Sequence, residues 1–143
     1  MIRGNRMYKY EKLRSTTAID ALFRGGVTAY AYPIRATFLA VTAGNYQPVA
    51  RFMITVPKRK LRHAVDRVAV RRRIREAYRL NRGPLYAALD ETGVSVEVAF
   101  IYLADKVKGY ASIEPRMREV LRQIAMALPA EAEKINAITD TDK

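Results

Sequence analysis

Three stretches of the chain alternate apolar residues with polar or small ones, which is the period-2 pattern of β-strands. They cover residues 33 to 43, 49 to 56 and 95 to 102. Gly44-Asn45 marks a turn after the first stretch, and Pro57 ends the second because proline cannot donate a hydrogen bond to a sheet ladder. The first two stretches each have one apolar face, which predicts a sheet with one side packed against a core.

Three further stretches carry apolar residues three or four positions apart, the spacing of one buried helical face. The first follows capping residues at positions 15 to 17 and stops at Gly25-Gly26, and the second ends at Gly83-Pro84. The third begins near Ser112, a candidate N-cap, and is predicted to end at Pro129. The predicted buried faces, in chain order, are Ile19, Leu22 and Phe23; Val70, Ile74, Ala77 and Tyr78; and Ile113, Met117, Val120, Leu121, Ile124 and Leu128.

The order of these elements predicts an α+β fold, a two-layer α/β sandwich of order α-β-β(-β)-α-β-α in which the bracketed strand is optional. The 143 residues, 50% of them hydrophobic, suffice for one domain with a core. We place this domain at residues 15 to 129, and residues 85 to 89 within it are a short apolar segment. Residues 130 to 143 are predicted to be a mobile tail. Residues 1 to 14 are a flexible basic arm, which is either an unstructured terminus or a segment that orders on RNA.

Positive charge is concentrated in residues 58 to 82, which hold eleven lysines and arginines but only two acidic residues. This stretch supplies nine of the chain's twelve net positive charges. Arginines at helical spacing predict one basic helix face, made of Arg71, Arg72, Arg75, Arg79 and Arg82. A solvated charged face is the alternative, although such faces usually mix both signs of charge. The charge therefore indicates a polyanionic partner, nucleic acid ahead of an anionic membrane surface.

The sequence lacks the groups that an independent nuclease needs. It has no cysteine and a single histidine, His63, so it offers neither a thiolate metal site nor a pair of histidine ligands. Its carboxylates are dispersed, whereas catalysis by bound Mg²⁺ needs them clustered. We expect no catalytic residue and no metal ligand in this chain. We also expect a cytoplasmic protein, because no apolar run of about eighteen residues and no secretory signal is present.

Residues 54 to 59 read Ile-Thr-Val-Pro-Lys-Arg, and residues 64 to 79 read Ala-Val-Asp-Arg-Val-Ala-Val-Arg-Arg-Arg-Ile-Arg-Glu-Ala-Tyr-Arg. Both stretches resemble the protein component of bacterial ribonuclease P. That family has a strand ending in a Ser-Val-x-Lys-Lys-like turn, followed by Ala-Val-x-Arg-Asn-Arg-x-Lys-Arg-x-x-Arg-Glu-x-Phe-Arg. The match departs at Arg67-Val68-Ala69, where the family has Arg-Asn-Arg, so the second arginine and the amide are missing. The similarity spans residues 12 to 128 and is strongest across the basic helix and its lead-in.

The resemblance implies a protein subunit of an endoribonuclease that matures tRNA 5′ ends. In that family a large RNA subunit with bound Mg²⁺ performs the cleavage, and the small protein binds this RNA, at 1:1, and the 5′ leader of precursor tRNA. The positions that match RNA contacts are Lys58, Arg59, Arg67, Arg71, Arg72, Arg75, Arg79 and Arg82. The resemblance also implies a left-handed β-α-β crossover.

The resemblance further places the leader in a groove between the first helix and the sheet. The groove residues that it implies are Phe23 and Phe38, together with Ile19 and Tyr32. A slip of one residue in the strand alignment would put Thr37 in place of Phe38. For Phe23, an ordinary position in the core is the alternative to exposure in the groove.

Two other functions fit part of the sequence. A general RNA-binding protein, ribosomal or chaperone-like, would carry the same basic helix without any part in an enzyme. A helix-turn-helix DNA binder would present a few polar side chains to base edges rather than a row of arginines. Stimulation of precursor-tRNA cleavage by a bacterial ribonuclease P RNA at low Mg²⁺ distinguishes the ribonuclease P subunit from the general RNA-binding protein. Preferential binding of a short DNA duplex over structured RNA at matched salt would indicate the DNA binder.

Overall fold

The structure, a computed structural model, describes residues 7 to 141, with side chains described from residue 7 to residue 136. Strands and helices in this range follow the order predicted from the sequence, with additions. The elements are one turn of 3-10 helix at Lys9–Glu11, α1 at Thr16–Gly25, β1 at Val27–Ala31, β2 at Ile34–Thr42, β3 at Ala50–Thr55, α2 at Ala64–Asn81, α3 at Gly83–Thr92, β4 at Val94–Tyr102 and α4 at Tyr110–Thr141.

The strands form one mixed sheet in the order β1-β2-β4-β3. β1 and β2 form an antiparallel hairpin through a cis peptide bond at Tyr32-Pro33, and β4 runs antiparallel to β2. β3 and β4 are parallel neighbours, so their ends need a crossover, which α2 and α3 provide. The left-handed sense implied for this crossover stays a prediction.

Alternation along the strands sends side chains to two faces of the sheet. One face packs under α2, α3 and α4 and holds the main core around Phe52 and Phe100. The other face, which we call the outer face, is partly covered by α1 and has a smaller cluster of Leu13, Leu22 and Ala99. The predicted α/β sandwich is therefore confirmed, with α1 added on the outer face.

The apolar periodicity of the sequence did not predict the residues of β1. It predicted a short apolar segment at residues 85 to 89, where the structure has the helix α3. β1 is the optional strand of the prediction, and its alternation rests on small residues such as the buried Ala29. α3 forms because Pro84 stands in the first turn of a new helix, where its missing N–H removes no helical hydrogen bond. α3 ends at Gly93, whose φ of 74° is the left-handed conformation that favours glycine.

α4 does not end at Pro129, as the sequence predicted, but continues to Thr141. A proline inside a helix removes one backbone hydrogen bond and crowds the preceding turn. Packing offsets that loss here, because Ala132 is buried and Ile135 packs against the main core. The predicted end of the helix was therefore wrong. Residues 142 and 143 of the predicted tail lie outside the described residues.

Residues 7 to 14, predicted as part of a flexible arm, pack against the edge of the sheet instead. The Leu13 N–H donates to the Phe52 carbonyl oxygen at 2.9 Å, and Lys12 forms an isolated parallel bridge with Phe52. Glu11 and Leu13 are buried. The packed domain thus starts before residue 15, while residues 1 to 6 of the predicted arm lie outside the described residues.

Two further findings concern the described residues alone. No helix there combines the length and the apolar character that crossing a membrane requires. In the same part of the chain, no three His, Cys, Asp or Glu side chains lie together in a way that could hold a metal ion.

Candidate RNA-binding surfaces

α2 is fixed to the sheet by the buried face that the sequence predicted. Its buried residues are Val70, Ile74, Ala77 and Tyr78. The centroid of the Tyr78 ring lies 4.3 Å from that of Phe52 and 5.6 Å from that of Phe100, and burial raises the pKa of the Tyr78 hydroxyl. Because this side of the helix is packed among aromatic rings, the opposite side has a fixed orientation towards solvent.

Three predicted RNA contacts, Arg71, Arg72 and Arg75, are exposed on α2, and Lys58 and Arg59 are exposed in the turn that precedes it. We call these five residues the basic face. None of them forms a hydrogen bond or a salt bridge with the part of the chain that the structure describes. Their charged groups are therefore open to phosphate oxygens, which arginine binds in a bidentate manner.

The family motif is interrupted in the first half of α2. Val68, which stands where the family has asparagine, is 46% exposed, and Val65 is 79% exposed. Val65 matches a valine of the family pattern, whereas Val68 occupies surface that an amide group fills in that pattern. The cationic groups without a partner thus start at Arg71 on this helix.

Two arginines of the basic stretch make contacts within the chain. Arg67 Nη1 donates to the carbonyl oxygens of Leu61 and Arg62, at 2.9 Å each. Arg73 Nη1 donates to the carbonyl oxygen of Lys108, also at 2.9 Å. Arg67 thereby ties the lead-in turn to α2 and fixes where the basic residues of that turn lie. A direct RNA contact by Arg67 stays a prediction.

Arg79 shares its charge with an acidic neighbour. Its Nε and Nη2 atoms donate to the two carboxylate oxygens of Glu76, at 3.0 and 2.6 Å. The hydrogen bonds from Arg79 lower the pKa of the Glu76 carboxyl. The predicted contact between Arg79 and RNA stays a prediction, but RNA would have to compete with Glu76 for this guanidinium group.

Arg82 does not belong to the basic face, which corrects the sequence prediction. Its side chain is buried, Nη1 donates to Glu11 Oε1 at 2.9 Å, and Nη1 also contacts Met7 Sδ. The Tyr86 hydroxyl donates to the same Glu11 oxygen at 2.9 Å. Helical spacing placed Arg82 in the row, but α2 ends at Asn81 and the chain turns into α3, so Arg82 points inward. A buried guanidinium group cannot bind an RNA phosphate.

Glu11 is the residue of this region that the sequence analysis missed. It is buried, and its Oε2 atom also accepts a hydrogen bond from the Tyr8 N–H at 2.8 Å. It is the only acidic residue among positions 1 to 19. A lone acid in a basic segment was the signal that could have indicated a partner within the fold.

α1 lies close to β2 on the outer face, where the leader groove was predicted. Gly26 makes this approach possible, because a Cβ at that position would overlap the Leu22 carbonyl oxygen and Thr37 Cγ2. On α1, Ile19 is half-buried in the outer cluster and Phe23 is 51% exposed. Phe23 is therefore not a core residue, and its ring is available to a ligand.

Phe38 does not line a groove, which is a second correction. It is 1% exposed and belongs to the main core, where it pairs with Val98 of β4. Thr37, the alternative by one residue, faces outward, because neighbouring residues of a strand point to opposite faces. Tyr32 is 48% exposed, and its ring centroid lies 6.0 Å from Lys108 Nζ, near the N-terminal end of α4.

Tyr30 and Arg35 were not predicted, yet they occupy paired positions of β1 and β2 on the outer face. Both are exposed. Gln123 of α4 holds the edge strand in place, because its side chain accepts from the Tyr30 N–H at 2.8 Å and donates to the Tyr30 carbonyl oxygen at 2.9 Å. An exposed aromatic ring beside an exposed cation is the combination that binds unpaired nucleotides.

The model of the Ribonuclease P family matches residues 7 to 107, which is more than half of the chain. The chain belongs to the Ribonuclease P family. The ribonuclease P protein component of Porphyromonas gingivalis (strain W83) is 32% identical over 128 residues, covering 88% of this chain and 91% of the relative. That of Chlorobium phaeobacteroides is 27% identical over 125 residues, covering 82% and 85%.

The Staphylococcus aureus RNase P protein has a similar fold. Its structure matches with a TM-score of 0.61 and 17% identity, over 79% of this chain and 94% of that one. Family membership makes this chain a protein subunit of ribonuclease P, an enzyme of tRNA processing, that associates with the RNase P RNA. The alternatives of a general RNA-binding protein and a DNA binder are thereby set aside.

Proposed function

We propose that this ribonuclease P subunit binds the catalytic RNA with its basic face, in a 1:1 complex. The observation that supports the proposal is that these five cationic groups form no hydrogen bond or salt bridge in the described chain. Arg71, Arg72 and Arg75 lie one, three and four positions apart, so they share one side of α2. Each phosphate that they neutralise releases counterions from the RNA, which supplies sequence-independent affinity.

The same proposal places the 5′ leader of precursor tRNA on the outer face of the sheet beside α1. We define the leader groove as Phe23, Tyr30, Arg35 and Thr37. Phe23 and Tyr30 offer exposed rings for stacking on unpaired bases, and Arg35 offers a cation for the backbone. Ile19 supports α1 from beneath, and Phe38 has no part in the groove because it is buried on the other face.

We assign the cleavage chemistry to Mg²⁺ bound at the RNA subunit and no catalytic role to this chain. Several of the chain's carboxylates are already engaged by cationic side chains rather than free for a metal ion. These pairs are Glu11 with Arg82, Glu76 with Arg79, Glu114 with Arg118, Glu119 with Arg122 and Glu131 with Lys134. The protein then acts by holding the RNA and its substrate in register, which lowers the barrier through positioning.

A reconstituted cleavage assay tests this function. The protein is added to a bacterial ribonuclease P RNA at low Mg²⁺, and we expect it to stimulate cleavage of precursor tRNA. Phe23→Ala with Tyr30→Ala should weaken binding of leader-bearing substrate to the holoenzyme by roughly 5- to 150-fold, since base stacking contributes about 1 to 3 kcal/mol per base. Binding of leaderless tRNA should not change.

Met126→Ala is a matched control, because this exposed side chain lies on α4, in the layer opposite the groove. It should leave both substrates unaffected. An absence of stimulation by the wild-type protein would contradict the proposed function. Equal losses for leader-bearing and leaderless substrates would contradict the groove alone.

A further inference from the structure

In the N-terminal segment, residues 9 to 14, exposed and buried side chains alternate from Tyr10 to Arg14. Glu11 and Leu13 are buried, and Arg82 neutralises Glu11 inside the fold. The exposed members are Lys9, Tyr10, Lys12 and Arg14. Every exposed charge of the segment is therefore positive. Because the segment runs along β3, it forms a second basic surface at that edge of the sheet.

A cavity of about 430 Å³ opens beside this segment and is lined by Tyr10, Tyr46 and Tyr86, among others. This volume lies within the range of roughly 300 to 1,000 Å³ that is typical of ligand pockets. The Tyr86 side chain is held in place on one side of the cavity, because its hydroxyl donates to Glu11 at 2.9 Å and accepts from the Ala50 N–H at 3.1 Å. Tyr10 and Tyr46 are instead 53% and 85% exposed, so two aromatic rings are open to solvent at the rim.

The cavity combines a stacked aromatic ring with a cationic side chain. The Tyr10 ring stacks on Tyr8, with centroids 5.3 Å apart and planes at 9°. Arg51 lines the same cavity, and it forms no hydrogen bond or salt bridge with any residue the structure describes. Glu97 lies opposite Arg51 in the β3–β4 register. A pre-stacked ring beside a guanidinium group suits a flat aromatic ligand that carries negative charge.

We propose that this cavity binds one unpaired RNA base, stacked on Tyr10 and covered by Tyr46, with the adjoining phosphate held by Arg51 and the exposed lysines of the N-terminal segment. The proposal rests on the function proposed above but adds a contact separate from it. Tyr30 and Arg35 of the leader groove lie on β1 and β2, whereas the cavity lies at β3, the opposite edge of the sheet. The unpaired nucleotide comes either from the catalytic RNA or from precursor tRNA.

Two probes separate base binding from charge. One is a labelled oligouridylate of about ten nucleotides, and the other is an abasic ribose-phosphate chain of the same length, both at about 150 mM salt. Tyr10→Ala with Tyr46→Ala should weaken binding of the oligouridylate roughly fivefold or more and leave binding of the abasic chain unchanged. Tyr10→Phe with Tyr46→Phe keeps both rings and should bind like the wild type, as should Met126→Ala.

Unchanged binding of the oligouridylate by the double alanine variant would overturn the proposal. Equal losses for both probes would also overturn it, because the cavity would then contribute charge alone. The outcome is independent of the basic face, since Arg71, Arg72 and Arg75 stay in place in every variant of this series. A protein that fails to stimulate cleavage but shows the base-dependent loss would contradict only the proposed function.

The holoenzyme identifies the source of the base. A loss of affinity of the double alanine variant for the catalytic RNA assigns the base to that RNA. An unchanged assembly with weaker binding of leader-bearing precursor, compared with leaderless tRNA, assigns it to the leader. If neither affinity changes, the cavity does not bind RNA in the enzyme and the proposal fails.

Discussion

α2 and α4 both present arginines on exposed helix faces, yet the two helices surround the guanidinium groups differently. On α4, Arg118 pairs with Glu114 at 2.6 Å and Arg122 pairs with Glu119 at 2.5 Å. These partners lie four and three positions apart, the spacing at which side chains on a helix meet. On α2, Glu76 lies four positions after Arg72, but its carboxylate binds Arg79, and none of the three arginines of the basic face forms a hydrogen bond or a salt bridge in the described chain.

The difference shows how one residue type serves two purposes. Exposed pairs such as those of α4 contribute only about 0.2 to 0.5 kcal/mol each to helix stability, and they leave no net charge on the surface. The unpaired cations of α2 repel one another, and a polyanionic partner removes that repulsion. Neutralised arginines thus stabilise α4, whereas the arginines of the basic face leave positive charge available to the RNA partner that we propose.

Removing Arg82 should have the largest effect, because it is the one arginine of the predicted row whose ion pair is buried. Arg82→Met leaves Glu11 buried without its cation, and we expect the free energy of unfolding to fall by about 3 to 5 kcal/mol. Urea denaturation measures this change in the free energy of unfolding. Arg118→Met, which breaks an exposed pair on α4, should change stability by less than about 1 kcal/mol. Similar losses of stability for both variants would contradict the expectation that the buried ion pair contributes more to stability than the exposed one.

Removing three charges from α2 should affect RNA binding far more than removing three from α4. Arg71, Arg72 and Arg75 changed together to Ala should reduce the slope of log affinity against log salt by about 2 to 3, and lower affinity for the catalytic RNA at least about tenfold near 150 mM salt. Filter binding across a salt series measures both quantities.

The matched control is the α4 triple Arg116→Ala, Arg118→Ala and Arg122→Ala, which removes the same charge from the protein. It should change the slope by less than about 1, because these groups belong to α4 and not to the basic face. Equal slopes for the two triples would mean that total charge, not its placement on α2, governs binding.

Freeing a paired arginine on α2 should strengthen RNA binding. Glu76→Gln removes the acid that engages Arg79, so the salt slope should steepen by up to about 1 and affinity should rise about twofold or more. Glu119→Gln frees Arg122 on α4 in the same way, with the same change in net charge. If both variants bind equally well, location on α2 has no bearing on RNA affinity.

The smallest expected effect is the pH dependence of an α4 pair. Hydrogen bonds from Arg122, and then from Gln123, lower the pKa of the Glu119 carboxyl to about 2. Because the folded-state pKa lies below the usual value of 4.5, the pair's stabilisation is present above pH 4.5 and is lost as pH falls towards 2. NMR titration of the carboxyl carbon measures this pKa.

Arg122→Ala should return the pKa of Glu119 towards its usual range, whereas Arg71→Ala should leave it in place. A titration of Glu119 near 4.5 in the wild-type protein would contradict a persistent pair in solution. The α4 surface would then be no better neutralised than that of α2.

Local pattern predicted most of the fold, and it failed where packing overrides propensity. The strands β2, β3 and β4 and the buried face of α2 follow from side-chain period, because that period decides which residues can share a core. The continuation of α4 past Pro129 could not be predicted, since the contacts of Ala132 and Ile135 that offset the proline come from distant parts of the chain. β1 was missed because small residues give a weak alternation.

The basic face was also predictable where it depends on local spacing, and not where it depends on distant contacts. The sequence identified Arg71, Arg72 and Arg75 correctly as exposed, because helical spacing places them outside the buried face of α2. The burial of the Arg82 side chain depends on where α2 ends and on its ion pair with Glu11, which lies seventy-one positions away in the sequence. No local rule reports such a contact.

The sequence by itself determined the polyanionic partner, the family and the helix that carries the charge, because composition and spacing are properties of the chain. Only the tertiary structure decided which cations stay free, since an ion pair depends on which residues folding brings together. It also decided which side of the sheet each aromatic residue faces. Phe38 and Thr37 are neighbours in sequence, yet Phe38 lies in the main core and Thr37 lies on the outer face of the sheet, because successive strand residues point in opposite directions.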